Sequence, residues 1–325
     1  MNAQAVVLGF DTSCYTTSVA AVDLAGNPVA SCRKLLPVAM GERGLRQSDA
    51  LFIHVRQLPG LVEELAEQIR GHEIVAVCAS AKPREDENSY MPVFQAGDAQ
   101  ARGVAALLGV PCFASNHQRG HIEAALVGTG ISEGPLLAAH LSGGTTELVQ
   151  YDGEHVKLIG GSRDLHAGQV VDRTGVALGL AFPAGPHLEE LARRGISQAR
   201  LPVSMEDGGL YCHLSGAETQ IQRWIQRETL PPEDIAREVY DLLARTVARM
   251  VVAGAKHTGL KQVLLAGGVA SSALFRELVT ARVVKLDRSV HVYFGRPEYS
   301  GDNAVGAARI GVKLLRAQMN DEAEG

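Results

Sequence analysis

The fold of this chain is decided by two stretches, AVVLGFDTSCYTTSVAAV at residues 5–22 and PLLAAHLSGGTTELVQY at residues 135–151. Each begins with an apolar run typical of a buried strand, passes through a polar bend and continues as a second run. Each therefore predicts two antiparallel strands joined by a polar loop. The two copies lie about 130 residues apart, which is too long a period for a solenoid and indicates duplicated halves.

The segments outside these stretches alternate between helical and strand patterns. Apolar residues recur with helical spacing at residues 54–70, 97–108 and 235–255. Short apolar runs at 74–79 and 263–266 predict buried strands. Strands that alternate with helices predict an α/β fold, and no low-complexity segment separates its halves.

The composition is that of a folded protein, with 325 residues, 46% of them hydrophobic and 21% charged. The length predicts about two domains. A net charge of -5 without a basic run argues against an autonomous nucleic-acid-binding domain. The five cysteines are odd in number and never in C-x-x-C spacing, which argues against a disulfide framework. With neither a signal-peptide pattern nor a membrane-spanning run, we expect a cytoplasmic protein without membrane contact.

Two histidines, His117 and His121, follow Asn116 in the motif N-H-Q-R-G-H. If Asn116 caps a helix, residues four apart lie on one face, which is the spacing at which two imidazoles can share a metal ion. A solvated or core pair is the alternative. Asp302 is the best third ligand, although an Asp-Asn pair before a small-residue helix is also an ordinary N-cap. The chain has no H-E-x-x-H motif, so a zincin protease would lack its general base.

Three polar loops could carry further chemistry. Residues 142–146 combine two glycines with three hydroxyls after a buried strand, which suits a phosphate or a tight hairpin turn. Gly267 and Gly268 follow another strand. Asp11 ends the first strand, where it is either a catalytic or cation-binding group or an Asx cap. The chain contains neither a P-loop nor the Rossmann G-x-G-x-x-G pattern after its first strand.

Together these loops resemble those of the actin, hexokinase and Hsp70 (ASKHA) superfamily, in which a nucleotide sits in a cleft between two related α/β domains. The resemblance implies a first domain at residues 1–130, with a C-terminal helix at 303–320 packed back on it. It implies a second domain of the same type at residues 131–302.

From residue 7 to about residue 308 the chain resembles the Gcp/TsaD/Kae family of tRNA threonylcarbamoyladenosine synthases, once called O-sialoglycoprotein endopeptidases. Six family motifs occur in order. The family's G-I-E-T-S-C motif corresponds to residues 9–14, its N-H-x-x-G-H to residues 116–121 and its S-G-G-H-T to residues 142–146. Its F-D-K-T with P-G-G-P corresponds to residues 171–174 with 183–186. Its G-G-V-S-A-N corresponds to residues 267–272, and its T-D-N to residues 301–303.

The resemblance implies roles by position. One divalent ion, iron or zinc, would be held by His117, His121 and Asp302. ATP, ADP or threonylcarbamoyl-AMP would be bound by Ser142, Gly143, Gly144, Thr145, Thr146, Asp172, Gly185, Glu189 and Ser272. The implied reaction is acyl transfer, in which N6 of adenosine 37 in tRNA attacks the carbamoyl group and the adenylate leaves. The implied partners are tRNA and accessory proteins of the pathway, namely a small TsaD-like subunit and an ATPase subunit.

Four departures from the family pattern lie near these positions. The usual C-D-E-T is Cys14-Tyr15-Thr16-Thr17, so an acidic pair is replaced. Thr145 and Ser272 replace a histidine and an asparagine. A charged segment at residues 81–92 replaces a glycine-rich one. These changes indicate a divergent paralogue, and two hypotheses follow from them: a threonylcarbamoyltransferase, or a regulatory or binding protein that keeps the metal and nucleotide. Protease activity, a third hypothesis, has no serine-histidine-acid order to support it.

Overall fold

The structure is a computed structural model, and it describes residues 4–13, 15–37, 45–86, 88–131, 134–197 and 200–324. Cys14 of the first motif and Glu87 of the charged segment lie outside the described residues. The chain divides into two compact units. One comprises Met1–Val127 with Gly301–Gly325, and the other comprises Gly128–Ser300.

The first unit is built on a five-stranded sheet in the order β3-β2-β1-β4-β5. Strands β1, β2 and β3 are antiparallel neighbours, whereas β4 and β5 run parallel to β1. The strands are β1 (Ala5–Ser13), β2 (Thr16–Asp23), β3 (Pro28–Leu35), β4 (Glu73–Lys82) and β5 (Cys112–Asn116). The helices are α1 (Gln47–Gln68), α2 (Phe94–Leu108), α3 (His117–Ala125) and the last helix of the chain, α9 (Val305–Glu324).

The packing of this unit follows from its sequence pattern. Helix α1 buries Leu58, Leu61 and Leu65, three- and four-residue steps that place them on one face. They contact strand residues such as Phe10 in one apolar core. Helix α9 packs directly on β1, because Gly9 has no side chain: a Cβ there would lie 2.6 Å from the backbone nitrogen of Ala308 in α9. The C-terminal helix is therefore part of the N-terminal unit.

The second unit is built on a seven-stranded sheet in the order β12-β11-β6-β7-β8-β10-β9. Its strands are β6 (Leu136–Leu141), β7 (Thr146–Tyr151), β8 (Val156–Ser162), β9 (Ser204–Glu206), β10 (Tyr211–His213), β11 (Gln262–Ala266) and β12 (His291–Phe294). Its helices are α4 (Ala167–Ala177), α5 (Gly185–Ala192), α6 (Ser215–Gln226), α7 (Pro232–Thr258) and α8 (Ala273–Leu286). Most of α7 is buried, and its side chains form the centre of this unit's core.

The two sheets share one topology, which confirms the predicted duplication of an α/β half. Strands β6, β7 and β8 form an antiparallel meander like that of β1, β2 and β3. Strand β11 is parallel to β6, as β4 is to β1, and β12 extends the sheet as β5 does. Strands β9 and β10 are an addition at the β8 edge. The fold is the α/β type predicted from the sequence.

The predicted elements are present, and the structure lengthens most of them. The helix predicted at residues 54–70 begins seven residues earlier, at Gln47. The first strand continues through the polar Asp11, Thr12 and Ser13, because β2 pairs with them up to the bend. Among the described residues, no helix has the length and apolar character needed to cross a membrane. The described cysteines, Cys32, Cys78, Cys112 and Cys212, form no disulfide.

Candidate metal centre and phosphate-binding loop

The helix that carries both histidines begins as the sequence predicts. Asn116 is the N-cap of α3, and its side-chain oxygen accepts a hydrogen bond of 2.8 Å from the backbone N–H of Arg119. The cap satisfies a donor that the first turn of the helix leaves unpaired. The rings of His117 and His121 consequently lie on one face, with centroids 4.3 Å apart.

Asp302 meets the two imidazoles from the segment before α9. Its Oδ1 lies 3.5 Å from Nε2 of His117 and 3.3 Å from Nε2 of His121. One ligand atom from each residue falls within 4.8 Å of the others. The side chains of His117, His121 and Asp302 are 18%, 16% and 28% exposed, so a bound ion would remain accessible to a substrate. The structure thus brings together the three residues predicted as ligands, and metal binding by them stays a prediction.

Asp11 lies behind His117 and not beside the open face of the cluster. Its Oδ2 lies 2.8 Å from Nδ1 of His117, and its side chain is 1% exposed. Its Oδ1 accepts the backbone N–H of Ser13 at 3.1 Å, so the Asx-type interaction is also present. Histidine ligands of metals commonly bond their second nitrogen to a carboxylate, which fixes the ring and leaves the other nitrogen for the ion. This position suits a residue that orients the His117 ring, and the catalytic role predicted for Asp11 stays a prediction.

The charges of this cluster shift the pKa values of its members in opposite directions. Burial alone would lower the pKa of His117, but the charge and hydrogen bond of Asp11, together with Asp302, raise it to about 10. Burial would raise the pKa of Asp302, but hydrogen bonds and charges from both histidines hold it well below its usual range. A metal-binding imidazole must be unprotonated, so metal binding would release a proton from His117.

The bend between β1 and β2 reaches the same cluster. The hydroxyl of Thr16 donates to Oδ2 of Asp302 at 3.4 Å, a long and weak hydrogen bond. Tyr15, beside it, is 45% exposed. These two residues stand where the family has its acidic pair, so a neutral hydroxyl occupies the flank of Asp302. The sequence offers no local signal for this contact, because the two residues are 286 positions apart.

The loop at residues 142–146 joins β6 to β7 as a tight turn, with Ser142 N–H donating to the Thr145 carbonyl at 2.8 Å. It is also held to the start of α4. Thr146 Oγ1 accepts the Ala167 N–H at 2.8 Å, and the Gly168 N–H donates to the Ser142 carbonyl at 3.0 Å. Gly168 permits this approach because a Cβ there would lie 2.5 Å from the nitrogen of Gly143.

The same loop keeps features of an anion site. A Cβ on Gly143 or Gly144 would meet nothing within 4 Å, so the backbone there is open to a ligand. The N-terminus of α4 lies against the loop, and a helix N-terminus carries partial positive charge that favours phosphate. The hairpin-turn interpretation and the phosphate interpretation are therefore compatible in this structure.

The remaining predicted nucleotide residues surround the starts of α5 and α8. Asp172 Oδ1 accepts the Ala184 N–H at 2.9 Å, one residue before Gly185. Glu189 Oε1 accepts the Leu274 N–H at 2.9 Å, and Ser272 Oγ accepts the Phe275 N–H at 3.1 Å. These residues thus already stabilise the protein's own backbone.

The hydrogen bonds of Glu189 also shift its pKa. Burial alone would raise the pKa of Glu189, but hydrogen bonds from Leu274, Ser272 and Arg193 lower it.

Tyr240 was not anticipated from the sequence, which marks it only as part of a long helix. Its hydroxyl donates to the Gly185 carbonyl at 3.0 Å, and burial raises its pKa.

Residues 48–309 match the model of one protein family, described as TsaD: tRNA N6-adenosine threonylcarbamoyltransferase. The chain belongs to the TsaD family. The match spans most of the chain and includes both histidines, Asp302 and the 142–146 loop. The description of the family names a transferase that acts on tRNA.

Solved structures show the fold of this TsaD family member independently. HypF of T. kodakarensis is 16% identical with a TM-score of 0.64, and the match covers 97% of this chain and 48% of that one. This chain therefore spans about half the length of that HypF chain. A ROK hexokinase from Thermus thermophilus is 16% identical with a TM-score of 0.56, over 96% of this chain and 99% of the hexokinase.

A third structure is the activator of the 2-hydroxyisocaproyl-CoA dehydratase from Clostridium difficile with bound ADPNP. It is 14% identical with a TM-score of 0.51, over 97% of each chain. At these identities the likeness shows the ASKHA-type fold alone.

Proposed function

We propose that this chain is a metal- and nucleotide-binding tRNA threonylcarbamoyltransferase, which transfers threonylcarbamoyl from threonylcarbamoyl-AMP to N6 of adenosine 37. The observation that carries the proposal is the convergence of His117, His121 and Asp302 in a member of the TsaD family. A tRNA substrate, accessory subunits and a cytoplasmic location belong to the same proposal.

The donor set fits one divalent ion, iron or zinc. Two imidazole nitrogens and one carboxylate oxygen are ligands that both metals accept, and three protein ligands leave positions open for a substrate oxygen. The carboxylate of Asp11 on Nδ1 of His117 is the supporting interaction expected around such a ligand. The ion, when bound, supplies Lewis-acid polarisation of a carbonyl oxygen.

The chain's own residues bind and orient the adenylate in the proposed reaction. The open backbone of Gly143 and Gly144, together with the N-terminus of α4, suits the phosphate. Asp172, Gly185, Glu189 and Ser272 are proposed to contact ribose and adenine. In the transfer, a bond forms between N6 and the carbamoyl carbon, and the bond from that carbon to the phosphate oxygen breaks. AMP leaves with the bonding electrons, and the proton lost from N6 passes to solvent water.

A second candidate function is a regulatory or binding protein that holds the metal and ATP or ADP without transfer. The specific observation in its favour is the β1–β2 bend, where Tyr15 and Thr16 replace an acidic pair beside Asp302. A hydroxyl can donate a hydrogen bond there but is a poor proton acceptor at neutral pH.

Reconstitution separates the two functions. The protein, its accessory subunits, the adenylate-forming enzyme, threonine, bicarbonate, ATP and unmodified tRNA are incubated, and the tRNA nucleosides are measured by mass spectrometry. We expect threonylcarbamoyladenosine from the native chain and none from the His117→Ala variant. No product from the native chain, in conditions where another TsaD family member is active, would reject transfer. Product only from a Tyr15→Asp, Thr16→Glu variant would support the regulatory function.

A further inference from the structure

Helices α3 and α9 make an unusually close contact at one pair of glycines. A Cβ added to Gly306 would lie 1.8 Å from the carbonyl oxygen of Gly120 and 2.5 Å from its carbonyl carbon. The reverse is not true, since a Cβ added to Gly120 would meet nothing nearer than Ser80 Oγ at 3.8 Å. Of the two glycines, it is therefore Gly306 whose missing side chain permits this approach of the two backbones.

This contact lies at the level of the candidate ligands. Gly120 stands between His117 and His121 on α3, and Gly306 follows Asp302 by four residues. The close approach of the two backbones therefore involves the turn of α3 that carries both imidazoles and the first turn of α9, which follows Asp302. A larger separation of the helices at Gly306 is expected to move Asp302 relative to both histidines.

A buried ion cluster connects the same two helices further along. Glu123 of α3 is fully buried, and its carboxylate pairs with Arg309, at 3.3 Å from Nε, and with Lys313, both on α9. A buried carboxylate without a cation is costly, so these pairs resist separation of α3 from α9. The glycine contact and the ion cluster therefore act in the same direction.

We propose that Gly306 is a positioning residue for the metal centre: its missing side chain sets the separation of α3 and α9 at which His117, His121 and Asp302 converge. The inference rests on the proposed metal site. A methyl group at this position would have to move by about 1.6 Å, from 1.8 Å to the 3.4 Å at which ordinary contact begins. Metal–ligand bonds of about 2.0–2.2 Å tolerate deviations of only about 0.2 Å, so the donor set loses its fit before the fold is lost.

Three glycine substitutions test the proposal in the full chain. Gly306→Ala introduces the clash, and Gly120→Ala adds a methyl to the same helix pair without one. Gly311→Ala changes α9 nine residues beyond Asp302. A Cβ added there would lie 2.7 Å from the side chain of Val7 and 2.8 Å from that of Cys78. It therefore disturbs the packing of α9 away from the metal centre. Zn²⁺ affinity by chelator competition, the Co²⁺ absorption spectrum and thermal melting in EDTA are measured for each.

We expect Gly306→Ala to weaken Zn²⁺ binding at least tenfold and to change the Co²⁺ spectrum. Gly120→Ala should stay within about threefold of the native affinity, and Gly311→Ala should lower the melting temperature while keeping the native affinity. Equal Zn²⁺ affinity in Gly306→Ala and native protein would overturn the proposal. The proposal would also be overturned if Gly311→Ala and Gly306→Ala lost the same Zn²⁺ affinity at the same drop in melting temperature. A general packing defect would then explain the loss of affinity in both variants.

The experiment also separates this inference from the metal site on which it rests. Zn²⁺ binding that is absent from the native protein, or unchanged by His117→Ala, would reject the metal site itself. If Gly306→Ala does not fold, Glu123→Gln weakens the same helix pairing without a clash. It is expected to lower Zn²⁺ affinity at least threefold, and native affinity in a folded Glu123→Gln protein would overturn the proposal.

Discussion

Oδ2 of Asp11 lies 2.8 Å from Nδ1 of His117, although the two residues are 106 positions apart in the chain. The contact is buried, since the Asp11 side chain is 1% exposed. It leaves Nε2 of His117 directed at Asp302, 3.5 Å from its Oδ1. One carboxylate thus orients the ring and a second one faces the nitrogen that would bind a metal.

The Asp11→Asn substitution tests that relationship. Asparagine keeps the size of the side chain and an oxygen that can accept the Ser13 N–H, but it removes the charge next to His117. We expect metal affinity to fall about 10- to 100-fold, the range typical of lost supporting contacts to a ligand. Zn²⁺ competition measures it, with Asp49→Asn on the exposed face of α1 as the control. Native affinity in Asp11→Asn would show that Asp11 does not support the ligand.

Metal binding should itself stabilise the first unit. A ligand that binds only the folded state at 100 times its dissociation constant adds about 2.7 kcal/mol to the free energy of unfolding. We therefore expect Zn²⁺ to raise the melting temperature, EDTA to reverse the rise, and His121→Ala to abolish it. A rise of equal size in His121→Ala would place the bound ion elsewhere on the protein.

Phosphate binding by the loop at residues 142–146 can be tested without disturbing the fold of the loop. A methyl on Gly143 or Gly144 meets nothing within 4 Å in the structure, so Gly143→Ala and Gly144→Ala should melt close to the native protein. The same methyl would occupy space that a bound phosphate needs, and we expect ADP affinity by calorimetry to fall about fivefold or more. Gly103→Ala, which also adds a methyl into open space, is the matched control. Unchanged ADP binding in both loop variants would count against a phosphate in this loop.

Stability at low pH should depend on Asp164. Burial alone would raise its pKa, but hydrogen bonds from Ser215, Leu214 and Leu165 lower it to about 2. Because the folded-state pKa lies below the ordinary value of 3.8, the stabilisation is present above about pH 4 and is lost as the pH falls through about 2.

The matching substitution is Asp164→Asn. Asparagine keeps one acceptor oxygen but loses the charge and the second oxygen, which accepts from the N–H and the hydroxyl of Ser215 at the start of α6. This loss should cost about 1–2 kcal/mol at pH 7. The difference from the native protein should shrink towards pH 2, as measured by urea unfolding across that range. A difference that is constant with pH would show that the charge of Asp164 contributes nothing.

Local interactions explain what could be predicted from the sequence. Asn116 caps α3 with a bond to a residue three positions later, and the two histidines share a face because they are four residues apart. The two strand–loop–strand units need only neighbouring residues to pair, as Phe10 does with Val19 and Leu141 with Thr146. Hydrophobic periodicity and capping act over a few residues, so they can be recognised without knowledge of the rest of the chain.

The order of the family motifs identified Asp302 as the third candidate ligand. Asp302 lies too far along the chain for any local rule to connect it to His117. Motifs name residues but give no contacts, and so the position of Asp11 behind His117 was not predicted. Nor did any pattern mark Thr16 as a neighbour of Asp302 or Gly306 as a neighbour of Gly120.

The sequence by itself therefore determined the α/β halves, the capped histidine helix and the residue types of the candidate metal centre. Only the tertiary structure decided which residues support that centre: Asp11 on the inner nitrogen of His117, and the Gly306 contact that brings α9 against α3. The physical reason is that these contacts depend on how the sheet, α3 and α9 pack together. Packing is a collective property of residues that lie more than 100 positions apart in these contacts, and a single glycine can decide it by the volume it leaves unfilled.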